Sequence, residues 1–367
     1  MNIILTGGCT GGHIYPALAI GDKFREKDPE CNVIYVASDR GLESKIIPGA
    51  GYELKTVDAD WFRRDKPITM LKTAMVTLKG RAQAYSIMRK FKPDVVISTG
   101  SFVSVPVVLA AKKYGASIYM HEQNGFPGVS NRMFSKFATR VFLGFEKARP
   151  YFKQPEKVVY CGNPVRKEFY DRDRQADRAK LGIPADDFVI TVFGGSLGSG
   201  TTNDLGEMLI RKFGGRKGYT IIFGTGREYY DDVAEKLKAD GLDSFDNVRM
   251  TAYISDMPSM LSASDLVVSR AGALSVAEVT MTGRAAVFIP SANVTADHQY
   301  YNAKAVEDNG GALIVRDGEN AGREAMEIIE GLEADRDRIG KMEKASAEIA
   351  PRMAADIIYE TIMETYK

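Results

Sequence analysis

The chain has 367 residues, which is more than one hydrophobic core usually serves and enough for two domains. Its hydrophobic and charged fractions, 44% and 26%, are typical of a soluble globular protein, and a net charge of +1 points to no polyanionic partner. We expect no signal peptide, because MNIILTGG lacks a basic start, and no membrane-spanning run of about 18 apolar residues. Three scattered cysteines, Cys9, Cys31 and Cys161, favour a reducing cytoplasm over a disulfide framework or a zinc site.

Short apolar strands recur along the chain at helix-sized intervals. Most are continuous rather than alternating, which is typical of parallel strands buried on both faces. With helices between them, they predict an α/β fold with two doubly wound parallel sheets. The predicted strands are 3–6, 33–37, 94–99, 117–121, 140–145 and 157–162 in the first half, and 189–195, 220–224, 247–253, 266–270, 285–290 and 312–315 in the second.

A Gly-Asn-Pro sequence at 162–164 predicts the boundary between the halves, since it continues neither a strand nor a helix easily. We therefore expect domains at 1–163 and 164–350, and a C-terminal helix at 351–367 that crosses back to the first domain. Ligands of such sheets bind beyond the carboxyl ends of the strands. Two facing domains would then form one cleft, lined by both sets of loops.

Two glycine-rich turns, one near the start of each half, join a strand to a helix. Glycines permit a sharp turn and let a diphosphate approach the backbone without meeting a Cβ atom. The unpaired N–H groups and partial positive charge at a helix start favour an anion. This device predicts a pair of phosphate- or nucleotide-binding domains, from Gly7, Gly8, Gly11 and Gly12 in one turn and Gly194, Gly195, Gly198 and Gly200 in the other.

Each of the three histidines lies in a polar motif: His13 ends the first glycine turn, His121 begins HEQN, and His298 lies in ADHQYYN. We expect all three in loops at the predicted cleft. A hydrogen-bonded structural role is the ordinary alternative for any one of them. An imidazole at a helix start, such as His13, can act as a general base or can only hydrogen-bond a phosphate or cap the loop.

Two segments of the second half are typical of nucleotide and sugar recognition. Glu278, in SRAGALSVAEVTMTG, can accept hydrogen bonds from both hydroxyls of a ribose, and a solvated helix glutamate is the alternative. After the predicted strand 285–290, several donors and acceptors fall within one or two turns, as a hydroxyl-rich ligand requires. They are Asp297, His298, Gln299 and Asn302.

The segment from Trp61 to Lys92 combines basic and apolar side chains. Nine basic residues against one acidic residue give it a charge of +8, and it holds the only tryptophan. This composition fits a surface that contacts anionic lipid headgroups. The alternatives are an amphipathic helix with a solvated basic face and a nucleic-acid surface, for which no recognised motif is present. The predicted membrane contact is Trp61, Phe62, Arg63, Arg64 and Lys66.

Seven ordered motifs, spread over nearly the whole chain, resemble those of the MurG-type glycosyltransferases. These are the UDP-N-acetylglucosamine:undecaprenyl-diphospho-muramoyl-pentapeptide N-acetylglucosaminyltransferases of bacterial cell-wall synthesis. The motifs are GGCTGGHIYPALAI, STGSFVSVP, HEQNGFPGVSN, GNPVR, GGSLGSGTTN, SRAGALSVAE and DHQYYNA. Seven motifs in order are far more specific than one glycine turn.

The resemblance implies a GT-B fold, with a UDP-sugar donor held mainly by the C-terminal domain and a lipid-linked acceptor held by the N-terminal one. It implies an inverting transfer of N-acetylglucosamine from UDP-N-acetylglucosamine to the 4-hydroxyl of undecaprenyl-diphospho-N-acetylmuramoyl-pentapeptide, which converts lipid I to lipid II in peptidoglycan synthesis. No cofactor, catalytic metal or nucleic-acid partner is implied. The expected location is the cytoplasmic face of the cell membrane, as a peripheral protein beside other cell-wall synthesis proteins.

When the family's contacts are transferred to the matching positions of this sequence, the resemblance also assigns the acceptor residues. His13 and Asn124 correspond to contacts with the reacting sugars or the acceptor, and His13 is the first choice for the catalytic base. The glycine loops expected around the acceptor and its phosphates contribute Thr10, Gly11, Gly12, Gly100 and Ser101.

The resemblance assigns the donor residues to six further positions. Arg166 and Ser196 correspond to contacts with the donor diphosphate, and Ile254 to the backbone that contacts the uracil. Glu278 matches the ribose-binding acid. The N-acetylglucosamine hydroxyls are assigned to Gln299, next to His298, which stands where some members have glutamine.

Several positions depart from the family pattern. Cys9 and Ser101 replace usual glycines of the first and second loops, and a cysteine fits at position 9 only if that residue does not need a positive φ. Leu197 stands where some members have glutamine. Ser199 and Gly200 replace a more usual Ala-Arg or Ala-Lys pair.

Three other functions remain open. The glycine turns suggest a Rossmann oxidoreductase, but neither keeps the G-x-G-x-x-G spacing followed by an acidic residue at a strand end. A UDP-sugar epimerase of the same two-domain fold would have no use for the basic segment. A non-catalytic, membrane-associated UDP-sugar-binding protein would bind the donor without turnover.

Overall fold

The computed structural model describes residues 1–61, 67–195, 197–349 and 353–366, with the side chains of all of these except 67–69 and 295. The chain divides into two units. The first is Met1–Arg166 together with Met353–Lys367, and the second is Lys167–Arg352.

The first unit alternates strands and helices from its first residues. Its strands are β1 (Asn2–Thr6), β2 (Asn32–Ala37), β3 (Glu53–Thr56), β4 (Val95–Ser98), β5 (Ser117–Glu122), β6 (Arg140–Leu143) and β7 (Val158–Tyr160). Its helices are α1 (Gly11–Lys27), α2 (Glu43–Gly49), α3 (Pro67–Phe91), α4 (Ser104–Tyr114), α5 (Val129–Phe134) and the last helix of the chain, α14 (Ala354–Thr365). Short 3₁₀ helices lie at Ser135–Phe137, Glu146–Tyr151 and Pro155–Lys157.

Within the described residues, the seven strands of the first unit form a parallel sheet in the order β3-β2-β1-β4-β5-β6-β7. Successive side chains of β1 point to opposite faces of the sheet, as the pleat requires. Ile3 and Leu5 pack in a core with residues of α1 and α14, whereas Ile4 packs in a second core with residues of α3 and α4. Helices therefore cover the sheet on both faces, which explains its continuous apolar strands.

The second unit repeats this plan with its own sheet. Its strands are β8 (Phe188–Phe193), β9 (Tyr219–Gly224), β10 (Val248–Thr251), β11 (Leu266–Ser269), β12 (Ala285–Phe288) and β13 (Ala312–Ile314). Its helices are α6 (Arg174–Leu181), α7 (Gly200–Phe213), α8 (Tyr230–Ala239), α9 (Met257–Ala263), α10 (Ala273–Met281), α11 (His298–Glu307), α12 (Ala321–Ala334) and α13 (Arg336–Ile349). Short 3₁₀ helices lie at Lys167–Phe169 and Thr295–Asp297.

The described strands of the second sheet are parallel and lie in the order β10-β9-β8-β11-β12-β13. Apolar residues of β8, β9, β11 and β12 pack against α7, α12 and α13 in one core. In both sheets the strand order reverses beside the first strand of the unit, between β1 and β4 and between β8 and β11. This reversal is the usual ligand position in a doubly wound sheet, because the loops that follow the two strands diverge there.

Strand β3 is absent from the sequence prediction. It lies at the edge of the first sheet, and its residues Glu53, Lys55 and Thr56 are exposed. A short polar edge strand lacks the apolar run that marks the central strands, so its pairing with β2 is visible only in the folded sheet. None of the described helices has the length and apolarity needed to cross a lipid bilayer.

Candidate functional site

The strand order places the loops after β1 and β4 side by side in the first unit. The Thr99 N–H donates to the Thr6 carbonyl at 2.9 Å, and Thr99 Oγ1 donates to the His13 carbonyl at 2.6 Å. Gly7 makes this approach possible, since a Cβ atom there would lie 2.0 Å from Thr99 Oγ1. The first glycine loop and the start of α1 are therefore fixed to the loop that follows β4.

The start of α1 has the form of an anion site. Thr10 is its N-cap residue with extended backbone angles, and the Thr10 side chain accepts no capping hydrogen bond. The N–H groups of Gly11 and Gly12 are thus left open to a ligand, where the helix dipole favours negative charge. Thr10 and the two glycines are among the residues that the sequence analysis assigns to the acceptor and its phosphates.

Cys9 and Ser101, the two residues that replace glycines, both have a positive φ, +73° and +71°. The condition under which a cysteine would fit without strain at position 9, a negative φ, is therefore not met. The loop imposes the left-handed conformation on both residues in spite of their Cβ atoms, and this costs roughly 1–2 kcal/mol for a non-glycine residue. Gly100, beside Ser101, has a φ of +94° and approaches the Asn131 side chain.

A buried carboxylate, which sequence reasoning missed, lies against the first glycine loop. Glu43, at the start of α2, accepts the Cys9 N–H at 2.6 Å and is fully buried. Gly8 leaves room for it, because a Cβ atom there would lie 2.2 Å from Glu43 Oε1. Burial, with the nearby Glu43 charge, raises the pKa of the Cys9 thiol. Glu43 thus occupies one backbone N–H of the first glycine loop.

His13 lies in the first turn of α1, half-buried, with its ring directed to the neighbouring loops. Its Nδ1 atom is 2.9 Å from the Thr99 carbonyl oxygen and 3.1 Å from Gln123 Oε1. Two other elements therefore hold the imidazole. This placement brings His13 together with Thr10, Gly11 and Gly12 on one helix start.

The expectation that all three histidines lie in loops is wrong. His13 belongs to α1, and His298 is the first residue of α11. His121 belongs to β5 and is fully buried, and this burial lowers its pKa to about 4. Its Nε2 atom lies 3.1 Å from the Gly162 carbonyl oxygen. For His121 the hydrogen-bonded structural role is the correct one.

Asn124 is held by its neighbour Glu122, which the site prediction did not include. Glu122 is buried and accepts from the Asn124 N–H at 3.0 Å and from Asn124 Nδ2 at 3.1 Å. It also accepts from the Gly128 N–H and from Asn131 Nδ2, each at 2.9 Å. Four hydrogen bonds to one carboxylate fix the loop after β5. The HEQN motif was the signal for this role, since it places an acid directly before the loop.

Two other predicted site residues, Arg166 and Trp61, belong to the first unit. The Arg166 guanidinium is 5.8 Å from the centre of the Tyr15 ring of α1, so the first unit contains it. Trp61 is exposed, with its ring centre 5.8 Å from that of Phe102. The remaining predicted membrane residues, Phe62, Arg63, Arg64 and Lys66, lie outside the described residues, as does Ser196 of the second unit.

In the second unit, Arg270 connects the loop after β11 to the start of α7. Its Nε donates to Ser199 Oγ at 2.9 Å, and one terminal nitrogen donates to Thr201 Oγ1 at 3.2 Å. Ser199 is the N-cap of α7 and accepts from the Thr202 N–H. The second glycine turn is therefore braced at the same kind of strand reversal as the first.

The remaining predicted donor residues lie in the segment after β10 and on α10 and α11 of the second unit. Ile254 is buried after β10 and contacts Gly224, where a Cβ atom would lie 3.0 Å from Ile254 Cδ1. Glu278 is half-buried on α10. On α11, Gln299 Oε1 accepts the Ser291 N–H at 2.9 Å, and Asn302 Nδ2 donates to the Ala271 carbonyl at 3.1 Å. These bonds attach α11 to the loops after β12 and β11.

Two family models match the chain. They are the glycosyltransferase family 28 N-terminal domain, over residues 3–143, and the glycosyltransferase family 28 C-terminal domain, over residues 189–357. A curated relative from Alkaliphilus oremlandii is named UDP-N-acetylglucosamine--N-acetylmuramyl-(pentapeptide) pyrophosphoryl-undecaprenol N-acetylglucosamine transferase. It is 38% identical over 359 residues, which cover 98% of this chain and 97% of the relative.

Solved structures agree with the family models. The crystal structure of Acinetobacter baumannii MurG matches with a TM-score of 0.76 and 26% identity, covering 99% of each chain. UDP-GlcNAc 2-epimerase from Neisseria meningitidis, solved with UDP-GlcNAc, matches with a TM-score of 0.71 over 99% of this chain and 100% of its own. At 15% identity this second likeness is one of fold alone.

The prediction of a GT-B fold with two parallel-sheet α/β domains is confirmed. The family models over both halves and the full-length relative also confirm the resemblance drawn from the seven motifs. The chain belongs to glycosyltransferase family 28, among its MurG-type members.

Proposed function

We propose that this protein transfers N-acetylglucosamine from UDP-N-acetylglucosamine to the 4-hydroxyl of an undecaprenyl-diphospho-muramoyl-pentapeptide, which converts lipid I to lipid II. The observation that carries the proposal is the 38% identity over 98% of the chain to a relative named for this transfer. The geometry of each unit supplies groups suited to one of the two substrates.

The acceptor is assigned to the first unit. The open start of α1 and the adjoining loop after β4 offer backbone N–H groups to its diphosphate. Asn124, fixed by Glu122, is a rigid polar contact for the acceptor sugar. His13 accepts the proton of the attacking hydroxyl at Nε2, since its Nδ1 already engages Thr99 and Gln123.

The donor is assigned to the second unit. The start of α7, with Ser196, binds the diphosphate, and Glu278 accepts the ribose hydroxyls. The backbone at Ile254 contacts the uracil, while His298 and Gln299 contact the N-acetylglucosamine. Support for this assignment comes from the brace that Arg270 forms on α7 and from the hydrogen bond that fixes Gln299.

The reaction is a single displacement at the anomeric carbon. The acceptor oxygen forms a bond to this carbon as the bond to the donor diphosphate breaks, and the electron pair leaves with UDP. The hydroxyl proton goes to His13. Attack from the face opposite the leaving group inverts the configuration, so an α-linked donor gives a β-linked product. The N–H groups at the start of α7, with Arg166, stabilise the charge that develops on the diphosphate.

A surface on α3 supports a peripheral position on an anionic membrane at its cytoplasmic face. Leu71, Met75 and Leu78 are 58–70% exposed and recur at the i, i+4, i+7 spacing of one helix face. Lys72 and Lys79 are exposed beside them. An apolar stripe flanked by lysines fits an interface of acyl chains and anionic headgroups. Contact with this surface would bring the enzyme to its lipid-linked acceptor.

The direct test is transfer of labelled N-acetylglucosamine from UDP-N-acetylglucosamine to a short-chain lipid-linked muramoyl-pentapeptide, with a chelator present. We expect transfer that depends on the acceptor and persists in the chelator. Release of UDP and free sugar without acceptor would favour the epimerase instead. Binding of UDP without turnover would favour a non-catalytic binding protein.

A further inference from the structure

A chain of hydrogen bonds runs from the backbone at Gly162 through two buried side chains to His13. His121 Nε2 lies 3.1 Å from the Gly162 carbonyl oxygen, and His121 Nδ1 lies 3.0 Å from Gln123 Nε2. Gln123 Oε1 in turn lies 3.1 Å from His13 Nδ1. His121 is fully buried in β5, and Gln123, which directly follows the last residue of that strand, is nearly so.

Backbone carbonyls, which can only accept, determine the direction of every bond in this chain. Gly162 O requires a proton on His121 Nε2, so His121 Nδ1 is an acceptor in the neutral ring. Gln123 Nε2 donates to that Nδ1 and also to the His121 carbonyl at 3.1 Å. The amide orientation of Gln123 is thereby fixed, with its oxygen toward His13. Thr99 O, 2.9 Å from His13 Nδ1, requires the proton on that nitrogen as well.

We propose that Gln123 is a positioning residue for the transfer reaction, anchored by His121, which holds His13 in the Nδ1–H tautomer with Nε2 as the proton-accepting atom. This inference rests on the proposed function of His13. Two acceptors on one N–H fix the plane of the imidazole. They also stabilise the imidazolium that forms when Nε2 takes the hydroxyl proton.

The arrangement uses neutral oxygens where many hydrolases use a carboxylate. The titratable groups on the elements around His13 include His121 and Glu122 of β5, Glu43 of α2 and Cys9 of the glycine loop. Burial keeps His121 neutral above about pH 4, so it does not reverse the amide of Gln123. Hydrogen bonds from Asn131 and Cys9 engage the Glu122 and Glu43 carboxylates, respectively. The nearest acceptors of His13 Nδ1 are therefore both uncharged.

The first test reads the tautomer directly and needs no activity. Nitrogen-15 spectra of the histidine-labelled full chain should contain three imidazoles, which His13→Ala and His121→Asn assign. We expect a protonated Nδ1 and a bare Nε2 for His13, and the reverse for His121. A protonated Nε2 on neutral His13 would overturn the proposal.

The second test reads the reaction in Gln123 variants. Gln123→Met keeps the volume but removes the acceptor, and we expect kcat to fall by about 10-fold while the KM for UDP-N-acetylglucosamine stays within about twofold. Gln123→Glu places a negative carboxylate beside His13 Nδ1, which stabilises the imidazolium, so the acid limb of the kcat–pH profile should move about one unit to higher pH. A normal kcat in the first variant, or an unmoved acid limb in the second, would overturn the proposal.

A matched control separates positioning from stability. Gln83 of α3 also forms two hydrogen bonds, both with Asp58, and these bonds are separate from the chain that ends at His13. Gln83→Met should retain the wild-type kcat and pH profile. If the wild type transfers no sugar, the proposed function fails; if it transfers sugar and the Gln123 variants behave as wild type, only this inference fails.

Discussion

Arg270 and Asp317 form an ion pair of 2.8 Å that joins the loop after β11 to the segment after β13. Both also bind Thr201, the second residue of α7, whose hydroxyl donates to Asp317 Oδ1 at 2.7 Å and accepts from Arg270 at 3.2 Å. The pair is largely buried, so each charge depends on the other for compensation. The start of the proposed diphosphate-binding helix is thus fixed by the loop after β11 and the segment after β13.

Removal of Arg270 should weaken binding of the donor. In Arg270→Met the start of α7 loses two hydrogen bonds, and Asp317 is left without its cation. We expect the Kd for UDP to rise by about 10- to 100-fold, equivalent to roughly 1.5–3 kcal/mol. Isothermal titration calorimetry with UDP measures this Kd. Arg211→Met, which breaks an exposed pair with Asp240, is the matched control and should not change the Kd. An unchanged Kd in Arg270→Met would remove α7 from donor binding.

His13→Ala should lower kcat by about 10²- to 10⁴-fold, because the hydroxyl proton loses its acceptor. The KM for UDP-N-acetylglucosamine should stay within about threefold, since His13 touches no donor group in the proposal. Steady-state kinetics with varied donor separate the two constants. His298→Ala is expected to give the opposite result, a higher donor KM with a smaller loss of kcat. Near-normal turnover of His13→Ala would exclude it as the base.

Glycine at positions 9 and 101 should stabilise the protein. Cys9 and Ser101 have φ values of +73° and +71°, which glycine adopts without a Cβ clash. The relief exceeds the extra chain entropy of glycine, so we expect Cys9→Gly and Ser101→Gly each to add about 0.5–1 kcal/mol to the free energy of unfolding.

Urea denaturation measures this gain, and an exposed helical serine provides the control. Ser86 lies inside α3, where glycine has no conformational advantage. Ser86→Gly should therefore lower the free energy of unfolding by about 0.5–1 kcal/mol. Loss of stability in both loop variants would show that the side chains of Cys9 and Ser101 contribute more than their backbone strain costs.

The buried His121 should make the protein less stable in acid. Its pKa falls from an ordinary 6.5 to about 4 on folding, so between these values the unfolded state binds a proton that the folded state does not. Stability therefore decreases as the pH falls from 6.5 toward 4, by about 3 kcal/mol in total from this group.

Urea denaturation at pH 7 and pH 4.5 tests the contribution of His121. The His121→Asn variant lacks the titrating ring and should show a smaller difference between the two conditions than the wild type. Equal pH dependence in the two proteins would assign the loss of stability to other groups.

The surface of α3 should govern binding to anionic vesicles. Replacing the exposed residues Lys72 and Lys90 with glutamate makes the net charge of this surface more negative by four units. Each basic residue near a negative membrane surface contributes about 1 kcal/mol, so vesicle affinity should fall at least 10-fold. The same change at Lys217 and Lys238 of the second unit is the control.

Co-sedimentation with vesicles of mixed anionic and neutral lipid measures this affinity, and calorimetry with UDP serves as a check on folding. Leu71→Ser with Leu78→Ser should reduce binding while leaving the charge unchanged. Vesicle binding that is equal in the α3 and control variants would contradict the membrane contact.

Most of the fold can be predicted from the periodicity of the sequence, because the burial of a strand or helix determines its local pattern of apolar residues. Strands such as β1 and β8 are buried on both faces, so they carry continuous apolar runs that local pattern alone reveals. Strand β3 is polar, and its pairing with β2 depends on the edge that β2 presents, which no local pattern encodes. A similar limit applies to His121: the predicted strand 117–121 includes it, but the burial of its ring and its contact with Gly162 depend on residues distant in the sequence.

By itself, the sequence determined the two α/β halves, the two glycine turns and the residues of the ordered motifs, because strand burial and turn geometry act over a few neighbouring residues. Only the tertiary structure decided which atoms of those motifs meet. Thr99, Gln123 and His13 are separated by up to 110 positions, and the strand order β1-β4-β5 brings them within hydrogen-bonding distance. These hydrogen bonds form only where residues distant in the sequence meet, and the order of the strands in the sheet determines which distant residues meet.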